Sequence, residues 1–278
     1  MSGRRERETV EGETVGELSY VYAVCRPFDG PLPDITGVAD TSPRQVADDG
    51  LVAVVGHVPE KDFAEAALRE RLEDLDWVSA TARRHEAVVA ALMTVTSPLP
   101  LRLGTVFRDE TGVRGMLRTQ ENRFRRLLGR LDGRIEWGVK VYLDLPERTS
   151  QTEPKRAATG RDYLRQRSHR HTEQEATWRG AEAFSEALHG ALAAHAVDAR
   201  LHRPQGAALS GARGRNVLNA AYLVDRAQSD AFAEAVDERS RAADAPPGLC
   251  AELTGPWAPY SFTGDEEPSH DDGCGERR

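Results

Sequence analysis

The segment EWGVKVYLD, residues 136–144, sets Trp137, Val139, Val141 and Leu143 in strict alternation with Glu136, Gly138, Lys140, Tyr142 and Asp144. A period of two puts the sets on opposite faces of a strand, so this segment belongs in a sheet with one buried and one wet face. Its surroundings then become readable. After a polar loop, PERTSQTEPKRAATG (146–160), a long helix is expected from about Asp162 to His195, packed through Trp178, Ala181, Phe184 or Ser185, Leu188 and Leu192. VDARLH (197–202) and NVLNAAYLVD (216–225) read as strands separated by a Gly-rich loop. A helix from Gln228 to Arg241 and a strand, GLCAELTGPW (248–257), complete the series. The order from Glu136 is β-α-β-β-α-β, which is ferredoxin-like: an antiparallel sheet with two helices on one face.

The first half shows a different pattern. SYVYAVC (19–25) and LVAVVGHV (51–58) are apolar on both alternations, as strands buried on both faces are. Between Pro59 and Leu75, Phe63, Ala67, Leu68, Leu72 and Leu75 recur at helical spacing and predict one apolar face. Asp76 is placed to cap a second helix carrying Trp77, Thr81, His85, Val88 and Leu92, which Pro98 forbids from continuing. PLRLGTVF (100–107) reads as a strand. A third helix from Glu110 to Leu131 lines up Val113, Leu117, Phe124, Leu127, Leu128 and Leu131, and Asp132-Gly133 stops it.

At 278 residues the chain favours two domains. The expected division is a disordered segment 1–17, an N-terminal α+β domain 18–132, a C-terminal ferredoxin-like domain 133–263 and a disordered acidic tail 264–278. A net charge of −8 and a pI near 5.6 argue against a surface built to neutralise phosphate. Cys25, Cys250 and Cys274 are too few and too dispersed for a disulfide framework or a paired-thiol zinc site. No stretch has the apolar core of a signal peptide or the ~20 apolar residues of a membrane span. A cytoplasmic protein is expected.

Chemistry-bearing motifs are incomplete. GAALSGAR (206–213) has the gap of a phosphate loop, but Ala212-Arg213 replaces the Lys and Ser/Thr that it needs. His169 and His171 lie two apart on a predicted helix and point to different faces. His85 has no local thiol or serine partner. No catalytic residue, metal ligand or cofactor site is assigned. Two alternatives stay open: a nucleic-acid contact through the basic string RDYLRQRSHRH (161–171), and an enzyme using an inter-domain cleft.

Two segments carry candidate binding or structural residues. Within PLRLGTVF, Arg102 stands where a buried guanidinium needs a carboxylate, making it an internal ion-pair partner or part of a binding site; Gly104 suggests a bulge or a close approach. In TGPWAPYSF, Pro256 ends a strand, while Trp257, Tyr260 and Phe262 either clamp the chain end onto the core or form an aromatic docking surface.

Together YVYAV (20–24), PLRLGTVF (100–107), EWGVKV (136–141) and ELTGPWAPYSF (252–262) resemble the gas vesicle protein F/L family, in its order and approximate spacing; NAAYLVD (219–225) resembles its strand before the last helix. The resemblance covers about Leu18 to Thr263. The family often has Phe where this chain has Leu103, and Pro where it has Ala258. It implies an α+β fold of two domains, the second a modified ferredoxin type. It further implies a non-enzymatic accessory role in gas vesicle assembly, with the hydrophobic shell protein and other accessory proteins as partners and neither nucleic acid nor membrane involved.

Overall fold

The computed structural model describes residues 16–144, 160–204, 214–241 and 246–264. Most of the 146–160 loop, GAALSGAR, the side chain of His169 and nearly all of both tails lie outside the described residues. The chain divides between Arg130 and Leu131 into two compact units.

The first unit is built on β1 (Glu17–Cys25), β2 (Arg44–Asp48), β3 (Leu51–Pro59), β4 (Leu99–Pro100) and β5 (Val106–Phe107). The sheet order is β2-β3-β1-β4, with β5 also on β1, and every pairing is antiparallel. β1 therefore begins one residue inside the polar lead expected to end at 17. β2, RQVAD, carries a single buried apolar residue, Val46, and was not expected; it joins β3 through Asp49-Gly50, both at positive φ as a two-residue hairpin turn requires.

Five helices follow from the same chain: α1 (Glu60–Phe63), α2 (Glu65–Arg71), α3 (Leu75–Leu92), α4 (Glu110–Thr119) and α5 (Glu121–Leu131). The single helix expected over 59–75 is broken at Ala64, whose extended backbone (ψ 152°) separates α1 from α2. Phe63 is buried, but Leu72 and Leu75 are 48% and 76% exposed, so the apolar stripe is not core throughout. The cap of α3 is Asp74, not Asp76: its carboxylate accepts from the Asp76 and Trp77 amides at 3.0 and 3.1 Å. The expected third helix also breaks, at Gln120, although its buried stripe from Val113 to Leu131 is as read.

Alternate residues of the sheet face different helices. Tyr20 and Tyr22 pack against His85 of α3, whereas Arg44 and Asp48 of β2 reach Glu110 and Arg118 of α4. Helices on both sides explain why β1 is apolar at every position from Tyr20 to Cys25.

The second unit runs β6 (Arg134–Leu143), α6 (Gly160–Ala193), β7 (Asp198–Leu201), β8 (Arg215–Asp225), α7 (Ser229–Ser240) and β9 (Leu249–Trp257). Its four strands pair antiparallel in the order β7-β8-β6-β9, the ferredoxin-like arrangement. On the helix side the Trp137 indole donates to Ser229 of α7 at 3.3 Å, and Tyr222 bonds His189 of α6 at 2.8 Å and packs on Phe232. The opposite face is not simply wet. Glu136 and Tyr142 are buried there; past β9 the chain returns across the Glu136 end of the sheet as a 3-10 turn, Tyr260–Phe262, with Phe262 beneath the Arg200 guanidinium.

Candidate protein-binding site

PLRLGTVF is a loop between two short strands, not one strand. The Leu101 amide donates to Tyr22 and the Val21 amide to Thr105, so β1 stays paired on either side while residues 101–105 arch outward. The Thr105 amide and hydroxyl close the arch on the Arg102 carbonyl at 3.2 and 2.7 Å. Arg102 itself is exposed at the crest, which corrects the reading of a buried guanidinium: the strand that would have buried it is interrupted. Gly104 has φ +79°, and a Cβ there would stand 3.1 Å from Leu68, which makes it a close-approach site in a left-handed turn.

Beneath this arch lies a polar contact that sequence reading did not find. Tyr20 receives the Gly104 amide at 3.4 Å, so its hydroxyl proton is free to go to His85 Nδ1 at 2.9 Å. His85 is buried, and desolvation holds its pKa down to about 4 despite an opposing hydrogen bond to the Leu101 carbonyl. It is a neutral structural imidazole. Burial likewise pushes the Cys25 thiol up to about 12, leaving no thiolate for chemistry. The available signal was the helical spacing that put a histidine in an apolar stripe opposite two tyrosines.

At the other motif, Pro256 lies within β9, which continues through it to Trp257 instead of ending there. The Gly255-Pro256 bond is cis. The ladder to β6 shifts register at this point, and among the described residues β9 is an edge strand, so the missing amide leaves no partner there unsatisfied. Glu136 accepts from the Ser261 amide at 2.8 Å and hydroxyl at 2.6 Å, pinning the returning turn; His202 Nε2 meets the same hydroxyl oxygen at 3.2 Å. Phe262 is fully buried and Tyr260 partly so. Trp257 departs from the clamp reading, for it is 43% exposed on the edge strand.

The remaining surface follows from topology. Among the described residues β7 pairs only with β8, and it offers Leu201 with Val197 beside it, both exposed. In the basic string the described Arg161, Arg165, Ser168 and His171 are exposed, and His171 pairs with Glu175. Among the described residues no three acidic, histidine or cysteine side chains cluster as metal ligands would, and no helix is long and apolar enough to cross a membrane.

Fold and motifs together define an α+β protein of two domains, the second ferredoxin-like, whose most distinctive segments serve to hold sheet edges and returning loops in place. The family model described as "Gas vesicle synthesis protein GvpL/GvpF" matches residues 18–264, and the chain belongs to that family. It is 54% identical over 261 residues to gas vesicle protein L of Streptomyces sp. (strain CB03234), covering 91% of this chain and 96% of that one. Gas vesicle protein F of the same strain is 28% identical over 258 residues, covering 88% and 98%. The crystal structure of the gas vesicle protein GvpF from Anabaena sp. PCC7120 superposes with a TM-score of 0.63 at 20% identity, covering 90% of this chain and 97% of that one, and so shares its fold. The protein is thus involved in gas vesicle formation, in a family of vesicle proteins and not of known enzymes.

Proposed function

We propose that the protein acts in vesicle assembly by binding the hydrophobic shell subunit or fellow accessory proteins, without bond chemistry, in the cytoplasm and at the growing vesicle. The observation that carries this reading is the pair of edge strands, β7 with exposed Leu201 and β9 with exposed Trp257, in a chain of the gas vesicle family. An unpaired edge offers main-chain donors and acceptors to another strand, and an exposed aromatic beside it anchors the contact. A shell subunit rich in β-structure is an aggregation hazard until its own edges are covered. On this reading Trp257 is a contact residue, whereas Gly104, Pro256, Tyr260 and Phe262 shape the domains that present it.

Co-expression with the shell protein and each accessory protein, followed by pull-down, tests the proposal. Association should persist with chelator present and without nucleotide. If the folded protein captures none of them, the assembly role fails, and the nucleic-acid and enzyme readings return.

A further inference from the structure

The first unit carries an apolar surface that its own fold leaves uncovered. Leu72, at the end of α2, and Leu75, opening α3, lie in a run of eight exposed residues, 69–76. Beside them is a pocket of ≈ 260 Å³ whose buried wall is Val38, Phe63 and Thr81, with Trp77 half-exposed across it. An ion pair links the two features: Arg71, next to Leu72, pairs at 2.7 Å with Asp62 on the pocket rim. Exposed apolar side chains on a turn beside a pocket offer an amphipathic helix a place to lay its anchors.

Charge selects the occupant. Residues 60–76 hold seven carboxylates against Lys61, Arg69 and Arg71. Two of these cations are already matched, Arg69 to Glu65 and Arg71 to Asp62, which leaves the excess on the leucine-bearing turn at Glu70, Glu73 and Asp76. From β5 to the end of α5 the balance reverses: residues 106–130 hold seven arginines against three carboxylates. An acidic rim around an apolar groove steers and holds a cationic segment, and like charge excludes an acidic one.

We propose that the α2–α3 turn and its neighbouring pocket are the docking site for a basic amphipathic helix of a partner protein, with one leucine or aromatic anchor entering the pocket against Trp77, others covering Leu72 and Leu75, and its cations facing Glu73 and Asp76. This deepens the protein-binding reading and rests on it. It places helix recognition on the first unit, separate from strand pairing at the edges of the second.

The test uses the full chain and a fluorescein-labelled Leu/Lys peptide of about 18 residues, long enough for five helical turns, read by anisotropy. Three comparison probes are a Leu/Lys peptide of identical composition with its apolar face scrambled, a Leu/Glu peptide, and the first peptide at roughly 0.15 M salt instead of low salt. The patterned basic peptide should bind, the scrambled one at least about tenfold more weakly, and the acidic one not at all. The double substitution Leu72→Ser, Leu75→Ser should weaken binding about tenfold with an unchanged melting curve, because both side chains are exposed. Glu73→Gln with Asp76→Asn should weaken it and flatten its salt dependence, while Leu201→Ser leaves it untouched. Equal binding by the double serine variant, or by the scrambled peptide, overturns the proposal. So does a tenfold gain on deleting residues 1–15, which assigns the groove to the chain's own N-terminal segment, or a dimer that the serine variant dissociates, which assigns it to a second copy. Failure here leaves the pull-down result standing.

Discussion

Acidification should loosen the first unit through one residue. His85 has its pKa held down to about 4 in the fold against an ordinary 6.5. The folded value is the lower one, so the unfolded chain takes up the proton first; the contribution to stability is complete above about pH 6.5 and is lost as pH falls towards 4. At 1.36 kcal/mol per pKa unit the full gap is about 3 kcal/mol, of which about 2 kcal/mol is lost between pH 7.5 and pH 5. Protonation also places a hydrogen on Nδ1, where Tyr20 now donates, and Tyr20 already receives the Gly104 amide. His85→Gln does not titrate and can both accept from Tyr20 and donate to the Leu101 peptide. Urea unfolding, with hydrogen exchange at the β1 and α3 amides to isolate this unit, should show the native protein losing about 2 kcal/mol more than the variant over that interval. Parallel pH profiles for the two proteins would refute the assignment of a buried neutral imidazole.

Gly104→Ala should cost about 1–2 kcal/mol, since it forces a β-carbon into a left-handed turn, and a thermal melt measures it; the neighbouring Leu68 side chain, 3.1 Å from the new carbon, has to give way. Phe262 and Trp257 should separate structure from binding. Phe262→Ala, at a fully buried ring, should cost about 3–5 kcal/mol in denaturant unfolding, whereas Trp257→Ala should cost a fraction of that and instead weaken capture in the pull-down.

Where a pattern depends on nearest neighbours, the sequence was readable. The alternation in β6 and the burial of β1 on both faces follow from side-chain periodicity, and the order of elements then dictated the second sheet. β2 escaped because an edge strand with one inward residue has no alternation to detect. The apolar stripe from Phe63 to Leu75 misled for another reason: periodicity reports that a face is apolar, not what covers it, and here Leu72 and Leu75 face solvent. Arg102 was misplaced because a strand was continued through Gly104, where positive φ ends the ladder. The Tyr20–His85 and Glu136–Ser261 contacts join residues 65 and 125 positions apart, and no local spacing announces such a meeting.

The Glu136–Ser261 link also bears on how the chain acquires its shape during synthesis. β6 is an interior strand, yet both of its neighbours, β8 and β9, are made after it, and the carboxylate that it buries waits 125 residues for its donor. A nascent chain that has passed Leu143 but not Asp225 therefore displays a strand with two open sides, one side stays open until Trp257, and closing so long a loop is entropically slow. The first unit has no such delay, for β4 and β5 complete its sheet by Phe107. The two halves should mature in sequence, and the vulnerable interval belongs to the second: a ribosome stalled within it presents to the shell subunit the kind of raw strand edge that the finished protein is proposed to manage.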